Sequence, residues 1–150
     1  MRLMALDIGD RRIGVALSDT GQMLARGLQV IRCRSRETDM AIIASLVSEH
    51  EVEKIIVGYP RRLDGTVGEQ ARKVEAYVAE LREVVAIPIV FWDEGLSTVR
   101  AQEAMIEAGR KRRERERRLD AVAAAAILQD YLDSLTWKNE REDSWTEKTF

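Results

Sequence analysis

Two short apolar runs near the start of the chain, Leu3–Ile8 and Ile13–Leu17, are joined by only Gly9–Arg12. Runs this short, separated by a turn-like segment, are strands, and so short a link makes them an antiparallel hairpin. Met23–Ile31 is a weaker third strand. The period then changes: from Asp39 to His50, the residues Met40, Ile43, Val47 and His50 recur at helical spacing. Lys54–Val57 is an apolar burst closed by Gly58-Tyr59-Pro60, a strand running into a loop. Thr66 and Glu69 have capping-box spacing, and Ala71, Val74, Val78, Leu81 and Val85 behind them form one helical face. Pro88–Trp92 is a compact strand, a helix over Ser97–Ala108 is stopped by Gly109, and an alanine-rich helix runs from about Leu119 to Leu135. The hairpin demands antiparallel pairing and the later strand–helix alternation demands parallel crossovers. The expected fold is therefore α/β, with a mixed five-stranded sheet and helices on both faces. Residues 1–135 form one domain in this reading; residues 136–150 lose the pattern and are expected to be a polar, flexible tail.

Composition narrows the chemistry. With 45% hydrophobic and 33% charged residues in 150, the chain can bury one core and is not disordered as a whole. No run reaches the roughly 20 apolar residues of a membrane span, and Asp7 and Asp10 interrupt the only leader-like stretch. The single cysteine, Cys33, points to a reducing compartment and a cytoplasmic location. One His and one Cys rule against a His/Cys zinc site, so any metal would sit on carboxylates.

Carboxylates stand where such a site needs them. Asp7 ends the first strand, Asp93 and Glu94 end the last, and Asp120 opens the final helix. In α/β folds the rim where strands emerge is where ligand sites form. Acids gathered there repel unless a cation is bound. Mg²⁺ suits oxygen ligands, and paired ions can serve both the attacking and leaving oxygens of a phosphodiester. Each acid also has a plainer role: Asp7 as a turn former before Gly9, Asp93 and Glu94 as a solvated strand end, and Asp120 as a dipole-favoured helix start.

Four ordered motifs add to this. The segment Asp7-Ile8-Gly9-Asp10-Arg11-Arg12-Ile13-Gly14-Val15-Ala16, continuing to Ser18-Asp19, resembles the opening signature of the YqgF/RuvX family. Ile56-Val57-Gly58-Tyr59-Pro60 with Asp64-Gly65-Thr66-Val67-Gly68, then Asp93-Glu94-Gly95-Leu96-Ser97-Thr98, then Asp120-Ala121-Val122-Ala123-Ala124 match in the same order. The resemblance spans about residues 1–135. It implies an RNase H-like fold, kinship to Holliday junction resolvases and a role in maturing the small-subunit (16S) ribosomal RNA precursor. By matching position, Asp7, Glu94 and Asp120 are the implied catalytic and metal-binding acids, for Mg²⁺ or Mn²⁺. Asp93 is the alternative middle ligand, because strand alternation lets only one of the pair face the site well. The chain departs from the family at Gly95, where Arg is usual, and at Tyr59, where Leu is commoner.

The net charge of −2 does not favour a polyanion, but its distribution does: residues 110–118 read RKRRERERR. Arg110, Lys111, Arg112 and Arg113, with Arg11 and Arg12 beside Asp7 and Arg61 and Arg62 after Pro60, are the expected nucleic-acid contacts. A solvated loop is the plainer account of the run. The expected partner is structured RNA, such as ribosomal RNA precursor, or branched DNA; no membrane is involved, and the chain is a monomer or weak homodimer. A four-way-junction resolvase, an actin-like nucleotide-binding turn and a non-catalytic nucleic-acid-binding relative are the competing functions.

Overall fold

The hairpin forms as expected. β1 (Arg2–Ile8) and β2 (Arg12–Ser18) pair antiparallel from Met4↔Leu17 to Ile8↔Ile13. The turn needs glycine at its start: the Gly9 N–H donates to the Arg12 carbonyl at 2.9 Å, and a Cβ on Gly9 would lie 2.9 Å from that same oxygen. The computed structural model describes residues 1–60, 68–93 and 121–135.

β3 (Ala25–Arg32) pairs antiparallel with β2 and starts two residues later than the sequence suggests. The delay has a local cause, since the Asp19 carboxylate accepts the Met23 and Leu24 N–H groups at 2.7 and 3.1 Å and holds them in the turn. α1 (Arg36–Glu49) starts three residues before Asp39, because Ser35 is its N-cap and accepts the Thr38 N–H at 3.2 Å. β4 (Val52–Tyr59) is longer at both ends than its apolar burst. α2 (Glu69–Val84) corrects the capping box: its N-cap is Gly68, with no side-chain cap, so Glu69 is the first helical residue and cannot serve as N3 to Thr66. β5 (Ile89–Asp93) follows, and residues 121–135 are helical. The expected helix over 97–108, the stop at Gly109 and the tail beyond 135 lie outside the described residues.

The sheet order is β3-β2-β1-β4-β5, with β1 parallel to β4 and β4 parallel to β5. The five-stranded mixed sheet is therefore as expected. Side-chain parity sends alternate residues of β1 to opposite faces. Met4, Leu6 and Ile8 pack with Ile43 of α1 and Val74, Val78 and Leu81 of α2. Leu3 and Ala5 pack with Ala124, Ile127, Leu128 and Leu132 on the other side. Because both faces are covered, β1 is buried through most of its length.

The second face is shaped for close approach. Ala5, Ala16 and Gly27 are register partners across three strands, a row without bulk. Helical residue Ala121 comes down on its end: a Cβ on Gly27 would lie 3.1 Å from the Ala121 Cβ and 3.3 Å from its carbonyl oxygen. Further along, Gln129 accepts the Ala25 N–H at 2.9 Å and donates to the Met23 carbonyl at 3.0 Å. The Tyr131 ring meets Trp92 edge-on at 5.4 Å. Leu128 is fully buried in this layer. Leu128→Ala is expected to cost about 2–5 kcal/mol in denaturant unfolding, the range for emptying a leucine site that cannot collapse.

Candidate active site

Asp7 is the penultimate residue of the central strand, half-buried, at the carboxyl end of β1. By parity it faces the same side as Leu3 and Ala5, toward the helical segment 121–135. Its cross-strand partner in β2 is Gly14. On the other side Leu6 pairs with Val57 in the parallel ladder, so the next residue, Gly58, adjoins Asp7. The carboxylate thus stands in a row with glycine as its neighbour on each side. Gly58 pairs with Trp92, and Tyr59 with Asp93, which brings the end of β5 to the same rim. Ala121 rests on Gly27 in the Ala5 row, two residues before Asp7 along the strand, or about 7 Å.

Among the sequence-predicted residues, Asp7, Arg11 and Arg12 are described, and all lie at this rim. Position 93 is described as backbone. Glu94, Asp120, Arg61, Arg62, Arg110, Lys111, Arg112 and Arg113 lie outside the described residues. Among the described residues no three His, Cys, Asp or Glu side chains gather as a metal site. Asp7 supplies the hard oxygen donor that Mg²⁺ or Mn²⁺ prefers, and the glycines beside it add no side chain of their own. Sequence reasoning missed Gly14 and Gly58 as part of the site. Both stand in the quoted motifs, but only the strand register places them beside Asp7. It also missed Arg32, the cross-strand partner of Arg12.

A cleft of about 370 Å³ opens on the opposite face, lined by Gly9, Arg36, Asp39, Lys73 and Tyr77 among others. Ile8 and Ile13, which border it, have the parity opposite to Asp7, so this cleft is not the acid-bearing site. Within it the Asp39 carboxylate is buried and accepts the Arg34 N–H at 3.2 Å. Burial, and then the Asp39 charge, push the Cys33 thiol up from its usual range and the Tyr77 hydroxyl far up. Both groups stay protonated near neutrality, which suits neither to nucleophilic work.

Ser18 and Asp19, the end of the opening motif, belong to the far end of β2 and are structural. Ser18 is buried, accepts the Leu3 N–H at 2.9 Å and donates to the Asp19 carbonyl at 2.9 Å.

A five-stranded mixed sheet of this order, helix-covered on both faces, is the RNase H-like fold of the resolvases. Thermus thermophilus RuvC, solved in complex with Holliday junction substrate, superposes with a TM-score of 0.58 at 15% identity, over 91% of this chain and 96% of that one. The Fowlpox virus resolvase, solved with Holliday junction DNA, gives 0.54 at 12% identity, over 90% and 99%. At such identities the likeness is one of fold. The chain belongs to the RuvX family, described as Holliday junction resolvase, whose model matches residues 1–134. A relative from Desulforamulus reducens, named "Putative pre-16S rRNA nuclease", is 49% identical over 134 residues, covering 89% of this chain and 98% of its own. Relatives of the same name from Roseiflexus sp. and Syntrophus aciditrophicus are 48% identical over 133 residues and 42% over 144, covering 89% and 96% of this chain and 94% and 96% of their own.

The Asp19 turn yields a pH test. The Leu24 N–H, then the Met23 N–H, hold the Asp19 carboxyl below its usual range. A depressed carboxylate stabilises the fold above its unfolded pKa, and that contribution is lost as pH falls through the folded value. Asp19→Asn is therefore expected to lower the thermal midpoint at pH 7 and to narrow its gap from wild type below about pH 4. Melting curves across pH 2–7 check both.

Proposed function

We propose that the chain is a divalent-metal-dependent endonuclease that hydrolyses phosphodiester bonds in structured nucleic acid, foremost the precursor of small-subunit ribosomal RNA. The observation that carries this is the placement of Asp7: a half-buried carboxylate at the carboxyl rim of the central strand, between Gly14 and Gly58, on the sheet face that the helical segment 121–135 covers. Family membership supports phosphodiester chemistry, and the names of relatives at 42–49% identity support the ribosomal precursor.

Asp7, Glu94 and Asp120 hold the metal in this proposal. Strand parity favours Glu94 over Asp93. Val90 and Trp92 pack on the Asp7 side, whereas position 93 shares the parity of Ile89 and Phe91, which pack toward α1 and α2. Asp120 directly precedes Ala121, the residue seated on Gly27 in the row next to the site. A divalent cation on these carboxylates supplies Lewis acidity toward the phosphodiester. The protein's own part is to fix Asp7 on a central strand and to place Gly14 and Gly58, which carry no side chain, beside it. Arg11, Arg12, Arg61, Arg62, Arg110, Lys111, Arg112 and Arg113 are the proposed backbone contacts.

The second reading keeps the chemistry and changes the substrate to a four-way DNA junction, favoured by the family description and the RuvC likeness. One assay separates the two: structured precursor RNA and a four-way junction offered side by side with Mn²⁺ or Mg²⁺. Cleavage of the RNA, reduced about 10²–10³-fold by Asp7→Asn, is the expected result. Cutting of the junction alone would move the function to recombination, and equal rates for Asp7→Asn and wild type would remove the site.

A further inference from the structure

Arg12 and Arg32 are direct cross-strand partners at the end of the β2–β3 ladder. The Cys33 N–H donates to the Arg11 carbonyl at 2.9 Å, which makes 11/33 the hydrogen-bonded pair and 12/32 the narrow pair beside it. In such a pair the Cα atoms are about 4.5 Å apart and the side chains crowd together on one face. That face is the one bearing Asp7, since Gly14 partners both Asp7 and Val30, and Arg12 and Arg32 each lie two residues further along their strands. Arg12 is the diagonal neighbour of Asp7, about 7–8 Å away, within reach of an arginine side chain.

Two like charges directly opposite each other destabilise a sheet. Arg12 is half-buried and makes contacts of its own, whereas Arg32 is exposed on an edge strand and, among the described residues, has no acidic partner. Two guanidinium groups held side by side on the same face as a candidate nuclease carboxylate are suited to an anion shared by both. A phosphodiester is such an anion, and guanidinium matches its oxygens bidentately.

We propose that Arg32, together with Arg12, clamps the sugar-phosphate backbone of the strand being cut, close to the scissile bond. Arg32 is then a positioning residue. The proposal rests on the nuclease reading for its purpose, but its test does not depend on turnover. Binding of a fluorescent structured RNA and of a four-way DNA junction is measured by anisotropy without metal over a series of salt concentrations, for wild type, Arg32→Gln, Arg32→Lys and Arg26→Gln. Arg26 is an exposed arginine of the same strand that pairs with Leu17, at the far end and with the opposite parity. Arg32→Gln is expected to weaken binding about tenfold at low salt. It should also reduce the slope of log K against log salt by about 0.7–0.9, the signature of one lost phosphate contact. Arg32→Lys is expected to keep the slope and recover part of the affinity, and Arg26→Gln to match wild type. With Mn²⁺ added, Arg32→Gln should raise KM while kcat stays close to wild type.

A slope unchanged in Arg32→Gln, or a loss equal to that of Arg26→Gln, overturns the clamp. A wild type that binds but never cuts sinks the nuclease reading and leaves the slopes to decide the clamp. A wild type that neither binds nor cuts overturns both. Matching thermal midpoints among the variants exclude misfolding as the cause.

Discussion

The structure depends on how closely the helical segment 121–135 can approach the sheet. A helix over a sheet normally stands off by the bulk of the side chains between them. Here the row Ala5–Ala16–Gly27 removes that bulk, and Ala121 rests nearly on the β3 backbone. Ala123 and Ala124 continue the contact before the larger Ile127, Leu128 and Leu132 fill the core. Small meets small where Ala121 approaches Gly27, and larger side chains share the core further along. Ala121 is thereby brought low over the sheet, in the row next to that of Asp7. A larger residue at Gly27 would lift that end first.

The same arrangement explains why an acid can sit in a strand buried on both faces. A carboxylate in the middle of β1 would lose its water on each side. At the penultimate position, flanked by Gly14 and Gly58, it stays half-exposed while its backbone remains locked in the ladder. Backbone rigidity and solvent access are thus combined at one residue. The other face has a different character. Its buried Asp39 accepts a backbone N–H near the start of α1, and its neighbouring thiol and phenol are held protonated.

Much of the fold was legible because period and punctuation agreed: the hairpin, the helix–strand alternation, the mixed sheet and the alanine-rich helix all came from short-range pattern. The misplaced boundaries have side-chain causes. Ser35 starts α1 earlier than its apolar stripe, and the Asp19 carboxylate delays β3 by holding two N–H groups. Thr66 and Glu69 have capping spacing, yet α2 starts at Gly68, because spacing alone does not fix where helical φ and ψ begin. At the site, Asp7 was legible as a strand-end acid. Its glycine neighbours and the Arg12–Arg32 pair were not, since both depend on register between distant segments. Register follows from which faces are buried, and a single strand does not reveal that.

In the proposed site, Asp7 shares a divalent cation with Glu94 and Asp120. Calorimetric titration of Mn²⁺ into the metal-free chain tests it most directly, with Asp7→Asn, Glu94→Gln, Asp120→Asn and Asp93→Asn compared with wild type. Each of the first three is expected to weaken binding by about tenfold or more, while Asp93→Asn leaves it close to wild type. Wild-type affinity in all of the first three, or a loss confined to Asp93→Asn, would contradict it.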